Sequence, residues 1–186
     1  GLAVLLVATT ALGWWGRVFD QPRIGPAWVL IAPLALALAA GVSIAGIDRR
    51  SEGVSKLRTL AVGVLFVGIA EELLTRGLLV VGARQAGWSP VAVFVLSTGL
   101  FGLLHGINGF FGLGPAKAAT QVVLAAIAGT AFFVTRMSTG SLVLCMVLHA
   151  AWDFGGLGQL ATDATAKPQQ VGLTLAAYAA GLIAIW

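Results

Sequence analysis

The chain has 186 residues, 59% of them hydrophobic and 10% charged, with a mean hydropathy of +0.97; soluble domains carry roughly 25% charged residues, so a water-soluble globule is excluded and a membrane protein is expected. The formal charge of +4 comes from basic residues lying singly or in small groups between apolar runs, as in membrane-protein loops, so nucleic acid is not the expected partner and the lipid bilayer is. The single cysteine, Cys145, lies in an apolar run, which excludes an internal disulfide framework and a Cys-only metal site.

Cut at its charges and Gly/Pro clusters, and compared with the ~20 residues that cross a bilayer, the sequence predicts an all-α polytopic transmembrane bundle of about seven (six to eight) spans. They fall near 2–16, 27–47, 59–83, 90–108, 117–136, 141–159 and 170–186, within a single integral-membrane domain over 1–186. The first and last are short, and an opening Gly in place of Met points to trimmed ends; no n-region and cleavage site mark the first as a signal peptide. Helices rather than barrel strands follow from the length and uniform apolarity of the runs, because backbone polar groups in lipid must pair within the segment. Trp14, Trp15, Trp28 and Trp88 stand at span ends, as interfacial anchors do. Arg49, Arg50, Lys56, Arg58, Lys117 and Lys167 fall on one face, against Arg17, Arg23, Arg84 and Arg136 on the other, which places the second, fourth and sixth loops in the cytoplasm.

The third span contains "GIAEELLTRGLLV", Gly68 to Val80. Glu71 is equally far from Arg58 and Arg84, ~20 Å along a helix from either, and so sits near the bilayer midplane. A carboxylate there costs at least ~2.5–3.5 kcal/mol on insertion scales and marks an interior or functional position. Glu72 and Arg76, at i and i+4, share a face and can neutralise each other, whereas Glu71 is turned ~100° away with no partner in its own helix. A purely structural charge network explains Glu72 and Arg76 but leaves Glu71 over.

Both histidines of the chain also lie in apolar segments: His105 in "FGLLHGIN" and His149 in "VLHAAWDF", with Asp153 one turn later. Depth counted at 1.5 Å per residue, ~22 Å from Pro90 to His105 and ~12 and ~18 Å from Ser141 to His149 and Asp153, allows these groups to share a layer with Glu71. Ser97 and Thr98 stand two turns before His105 as possible nucleophiles, but an activated water is the simpler reading. A carboxylate among apolar groups can act as a general base, and histidine can share that role or ligate a water-acidifying metal, with zinc the expected ion. His105, His149 and either Glu71 or Asp153 would supply three N/O ligands, leaving a fourth position open.

"EELLTR" fits E-E-x-x-x-R, "FGLLH" fits F-x-x-x-H and "HAAWD" fits H-x-x-x-N/D, in that order. This set resembles the CPBP family of intramembrane proteases, which includes the type II CAAX prenyl endopeptidases and the bacteriocin-processing and immunity proteins. The resemblance covers a motif-bearing core at about 62–154. It implies that Glu71 and His105 activate the hydrolytic water, that Glu72 and Arg76 support the site, that Phe101 packs one turn before His105, and that His149 and Asp153 stabilise the oxyanion or hold metal. Asp153 stands where Asn is usual in the CAAX enzymes, and an ionised Asp cannot donate to an oxyanion.

The leading expectation is therefore an intramembrane endopeptidase, metal-dependent in the CAAX-protease manner, cutting a peptide or membrane-protein substrate. The Ala/Gly/Val-rich composition suggests a bacterial cytoplasmic membrane, with the site opening towards the cytoplasm. Two alternatives keep the chamber without the proteolysis: a non-catalytic immunity or partner-binding protein, and a proton-coupled transporter built on an intramembrane Glu/His relay. "GFFGLG", Gly109 to Gly114, reads as a turn; "GGLG", Gly155 to Gly158, reads as a loosened helix, a loop or small-residue helix packing.

Overall fold

The computed structural model describes residues 1–50, 52–166 and 168–184. Lys167 and the end of the span expected at 170–186 lie outside them. The described residues form helices and connecting turns, with no strand among them, as uniformly apolar runs require when every backbone polar group must be paired within its own segment. In chain order these are α1 (Leu2–Ala11), α2 (Trp15–Phe19), α3 (Ile31–Ala45), α4 (Leu57–Glu72), α5 (Leu79–Gln85), α6 (Pro90–Leu104), α7 (Pro115–Thr139), α8 (Leu142–Ala161) and α9 (Pro168–Ile183).

Four of them, two extended by a flanking 3-10 turn, are long and apolar enough to cross a membrane: Ala27–Ala45, Pro90–Gly109, Pro115–Thr139 and Leu142–Ala161. These match four of the expected spans closely. The expected first span differs: it breaks at Gly13, whose φ is +64°, into α1 and α2. Ten residues of α1 make a helix only ~15 Å long, half the hydrocarbon thickness. The expected third span is a continuous helical rod from Leu57 to Gln85, but its middle, Leu73–Leu78, is wound as a π-helix joining α4 to α5. That wider turn begins one residue after Glu72.

Small residues set how closely the helices approach, since in lipid association rests on packing rather than on expulsion of water. A Cβ on Gly68 of α4 would stand 3.0 Å from the Met146 carbonyl oxygen and 3.1 Å from the Ala150 nitrogen of α8. On Gly155 it would stand 2.5 Å from Ser43 Cβ of α3, and on Gly102 of α6 2.7 Å from the Val122 carbonyl oxygen of α7. Thus "GGLG" stays inside α8 as a packing surface, Gly155 against α3 and Gly158 against Ile47. "GFFGLG" lies in the turn between α6 and α7, with Phe110 and Phe111 exposed.

The main core joins α3, α6, α7, α8 and α9 through Leu36, Phe101, Ala125, Ala128, Phe132, Leu148 and Ala177. Arg136 departs from the sequence expectation of a loop charge. It is fully buried, and its guanidinium donates to the Val18 carbonyl at 2.5 Å and to that of Gly140, which ends α7. Arg84 is partly buried and donates to Gln21 Oε1 at 3.0 Å and Met137 Sδ at 2.9 Å. Both satisfy internal acceptors, so neither belongs in a count of loop charges.

Candidate active site

The close approach of α4 and α8 at Gly68 brings the end of α4 against His149. Arg76 Nη1 lies 3.0 Å from Glu72 Oε1, with both side chains fully buried, as their i,i+4 spacing predicts. The same Glu72 oxygen lies 2.9 Å from His149 Nδ1, a contact across 77 residues of sequence. An ionised carboxylate only accepts, so Nδ1 is assigned the proton, leaving Nε2 turned the other way. That nitrogen lies 3.5 Å from Asp153 Oδ2 and 4.0 Å from Glu71 Oε2.

Arg76 is the anchor of this arrangement. Besides Glu72, it donates to Thr75 Oγ1 at 2.7 Å and to the Gly129 carbonyl of α7 at 2.8 Å, and its guanidinium stacks over Phe101, 4.2 Å from the ring centroid. Gly129 is required there, because a Cβ would stand 3.1 Å from both Arg76 Nη2 and Phe101 Cδ1. Phe132 stacks on His149 with centroids 4.9 Å apart, and Phe101 meets the same ring edge-on at 5.4 Å. Aromatic faces and a carboxylate therefore fix His149 in position and orientation.

The π turn places Thr75 and Arg76 on this inner side. Widening the helix leaves carbonyls outside the regular ladder, and the Thr75 carbonyl accepts instead from Ser97 Oγ of α6 at 2.9 Å. Thr98 Oγ1 donates to the Phe94 carbonyl at 2.8 Å. Both hydroxyls considered as nucleophiles are buried and bonded to backbone.

His105 stands where α6 passes into a 3-10 turn, His105–Gly109. Its Nδ1 lies 2.9 Å from the Phe101 carbonyl, which can only accept, so Nε2 is left as the acceptor nitrogen. His105, Glu71 and Asp153 line one cavity of about 920 Å³ that runs between α4, α6 and α8 to Ser55 and Lys56. His105 and Asp153 also border a second cavity of about 170 Å³, with His149, Phe101, Trp152 and Tyr178. Glu71 and His105 thus share a chamber without a hydrogen bond between them, and the imidazole nearest Glu71 is His149. Glu71 Oε2 is buried and has no hydrogen-bond partner among the described residues.

The donor types suit a divalent ion, since each histidine has Nδ1 anchored on an oxygen, the usual outer-shell arrangement of histidines that ligate through Nε2. The spacing is wider than a closed set. Ligands ~2.0–2.1 Å from a tetrahedral zinc lie about 3.3 Å apart, against 4.0 Å from His149 Nε2 to Glu71. Among the described residues no three such side chains stand together as an ion-holding group.

Several contributors escaped the sequence reading: Phe132, Gly129, Gln121 and Tyr178, as well as the second bond of Glu72. Of these only Tyr178 carried a signal, as the sole tyrosine of the chain standing in an apolar run.

The Rce1-like model of type II CAAX prenyl endopeptidases matches residues 53–155, more than half of the chain and every residue of the charged cluster. The chain belongs to this family. It is accordingly an integral membrane protein of CAAX-protease type, with α4 to α7 and α8 as far as Gly155 in the matched segment and α1 to α3 and α9 outside it. Comparison with curated proteins and with solved structures gives no match.

Proposed function

We propose that this family member is an intramembrane endopeptidase that hydrolyses a peptide bond in a membrane-associated peptide or protein, with Glu71 and His105 activating the water. The observation that carries the reading is the Glu71 carboxylate: Oε2 is buried and unbonded on a cavity of about 920 Å³ that His105 also lines. Glu72 has the same buried, unbonded Oε2, but its Oε1 is held by both Arg76 and His149, whereas neither carboxylate oxygen of Glu71 has a hydrogen-bond partner among the described residues.

Water held between Glu71 and His105 loses a proton to Glu71 as its oxygen bonds to the scissile carbonyl carbon, and the carbonyl π pair moves onto oxygen. Collapse of this oxyanion breaks the C–N bond, and the proton held by Glu71 passes to the departing amine. His105 orients the water through Nε2, because Phe101 fixes its other nitrogen. Glu72 holds His149 and is itself held by Arg76, so these residues position the site rather than touch substrate. His149 and Asp153 occupy the opposite wall, where the carbonyl oxygen would lie. A divalent metal, if bound, would be held by Glu71, His105, His149 and Asp153 and would supply a more acidic water.

The cavity opens at the Lys56 end of α4, beside the basic loop 48–58. By the positive-inside rule that end faces the cytoplasm, across a bacterial cytoplasmic membrane. The test is a fluorogenic peptide panel, with prenylated CAAX and unprenylated members, incubated with detergent-purified protein before and after chelation. Cleavage of a panel member supports the reading; loss on chelation adds the metal, and unchanged cleavage leaves activation to Glu71 and His105 alone. Folded protein that cleaves nothing contradicts it.

A further inference from the structure

The donors that border the larger cavity are Ser55, Lys56 and Thr59 at the start of α4, and Asn108 and Gln121; beside Glu71, His149 and Asp153 themselves the groups mostly accept. Glu71 and Asp153 have no hydrogen to donate when ionised. His105 and His149 donate their Nδ1–H to the Phe101 carbonyl and to Glu72, and His149 Nε2 faces the carboxylates of Asp153 and Glu71. Hydrolysis by water nonetheless places a negative oxygen in this space, and preorganised donors aimed at that oxygen are usually the largest single contribution to such a reaction.

A residue with a neutral O–H also borders the smaller cavity beside His149 and Asp153. Tyr178, the only tyrosine in the chain, stands on α9, outside the segment that the family model matches. Its ring packs on Trp152, centroids 5.8 Å apart, and Trp152 directly precedes Asp153 on α8. The phenol lines the 170 Å³ cavity together with His105, His149 and Asp153. Its hydroxyl has no hydrogen-bond partner among the described residues. Tyrosine hydroxyls in apolar surroundings usually find a partner, and one left open beside a reactive chamber is available to a ligand.

We propose that Tyr178 is a catalytic residue that donates its O–H to the oxyanion formed when water adds to the scissile carbonyl. The inference rests on the hydrolytic reading above. The phenol keeps its proton throughout: the π pair reaches the oxygen, Tyr178 bonds to it, and collapse returns the pair as the C–N bond breaks. Asp153, which has no hydrogen to offer, then serves to orient His149. The rival donor is Gln121, which lines both cavities and whose Oε1 accepts from Asn108 Nδ2 at 3.0 Å, leaving its amide N–H groups to donate.

The deciding experiment compares Tyr178→Phe and Gln121→Leu with wild type on a panel peptide that wild type cleaves. Phenylalanine keeps the ring on Trp152 and removes only the hydroxyl. The expected result is a kcat lower by about 10²-fold for Tyr178→Phe with KM nearly unchanged, the signature of an interaction made only in the transition state. A wild-type kcat for Tyr178→Phe, with or without a loss in Gln121→Leu, overturns the proposal. Because Tyr178 is the sole tyrosine, ¹³Cζ-tyrosine labelling gives one resonance that reports its hydroxyl without any turnover. A phosphonamidate analogue of the prenylated CAAX peptide, a tetrahedral anion, is expected to shift that resonance, and the uncharged methylene analogue is not. If wild type cleaves no peptide, a shifted resonance retains the donor while the hydrolytic reading falls; an unshifted one overturns the donor.

Discussion

Arg76 shows how much one residue holds in place. It is fully buried, pairs with Glu72, supports Thr75 and Gly129 and stacks on Phe101. Arg76→Met would leave Glu72 charged and only partly compensated, and removing one partner of a buried pair costs about 3–5 kcal/mol. We expect a correspondingly lower unfolding midpoint in detergent, and activity lost with it because His149 loses its orientation. Gly129→Ala places a methyl against the Arg76 guanidinium and the Phe101 ring. It should lower activity while leaving membrane insertion unchanged, measured as hydrolysis per unit of folded protein. The Glu72–Arg76 pair was legible in the sequence because i,i+4 spacing is local geometry. The Glu72–His149 bond was not, because nothing local specifies which of Glu71 and Glu72 a helix 77 residues away will meet. The sequence reading left Glu71 without an intrahelical partner, and the structure keeps its Oε2 unbonded.

At the scale of elements, the π turn at Leu73–Leu78 is the feature that apolar periodicity could not announce. Its stretch contains no Pro, and its one glycine, Gly77, faces Val18, where a Cβ would stand 2.6 Å away. What sustains the turn is tertiary: Ser97 Oγ on the Thr75 carbonyl, and Arg76 held by α7. Ser97→Ala should therefore destabilise the protein by about 1–3 kcal/mol, the cost of a buried acceptor left unmet, read from denaturant unfolding. A Thr at that position, which keeps the hydroxyl, should restore most of it. The spans 90–108, 117–136 and 141–159 were legible because Pro90, Pro115 and Ser141 mark helix starts, with Ser89 and Ser141 capping Ala92 and Leu144. The span 2–16 was misjudged because hydropathy does not register the turn at Gly13, whose positive φ breaks the helix. In the same way Arg136 read as a loop charge because the carbonyls it satisfies, on Val18 and Gly140, are brought to it only by packing.

For the whole molecule, bundle and site depend on each other. α3, α7 and α9 enclose the helices that carry the charged groups, and the larger cavity leads from Glu71 to the Lys56 end of α4. A cysteine introduced at Lys56 should react with a membrane-impermeant maleimide from the cytoplasmic side of oriented vesicles, while native Cys145, fully buried, stays silent. Labelling from the opposite side alone would reverse the orientation. The general fold and the meeting of Glu71, His149 and Asp153 were legible because few charges occur in the apolar spans and helical rise fixes their depth. The enclosing aromatic faces and Tyr178 were not, since apolar side chains do not reveal which of them will face a site. The most direct test of the account is the single-turnover rate of Glu71→Gln on a peptide that wild type cleaves. Glutamine preserves size and removes the base, so the account predicts a fall of about 10²–10⁴-fold with unchanged unfolding behaviour. Hydrolysis at the wild-type rate would contradict it and make the buried cluster a structural one.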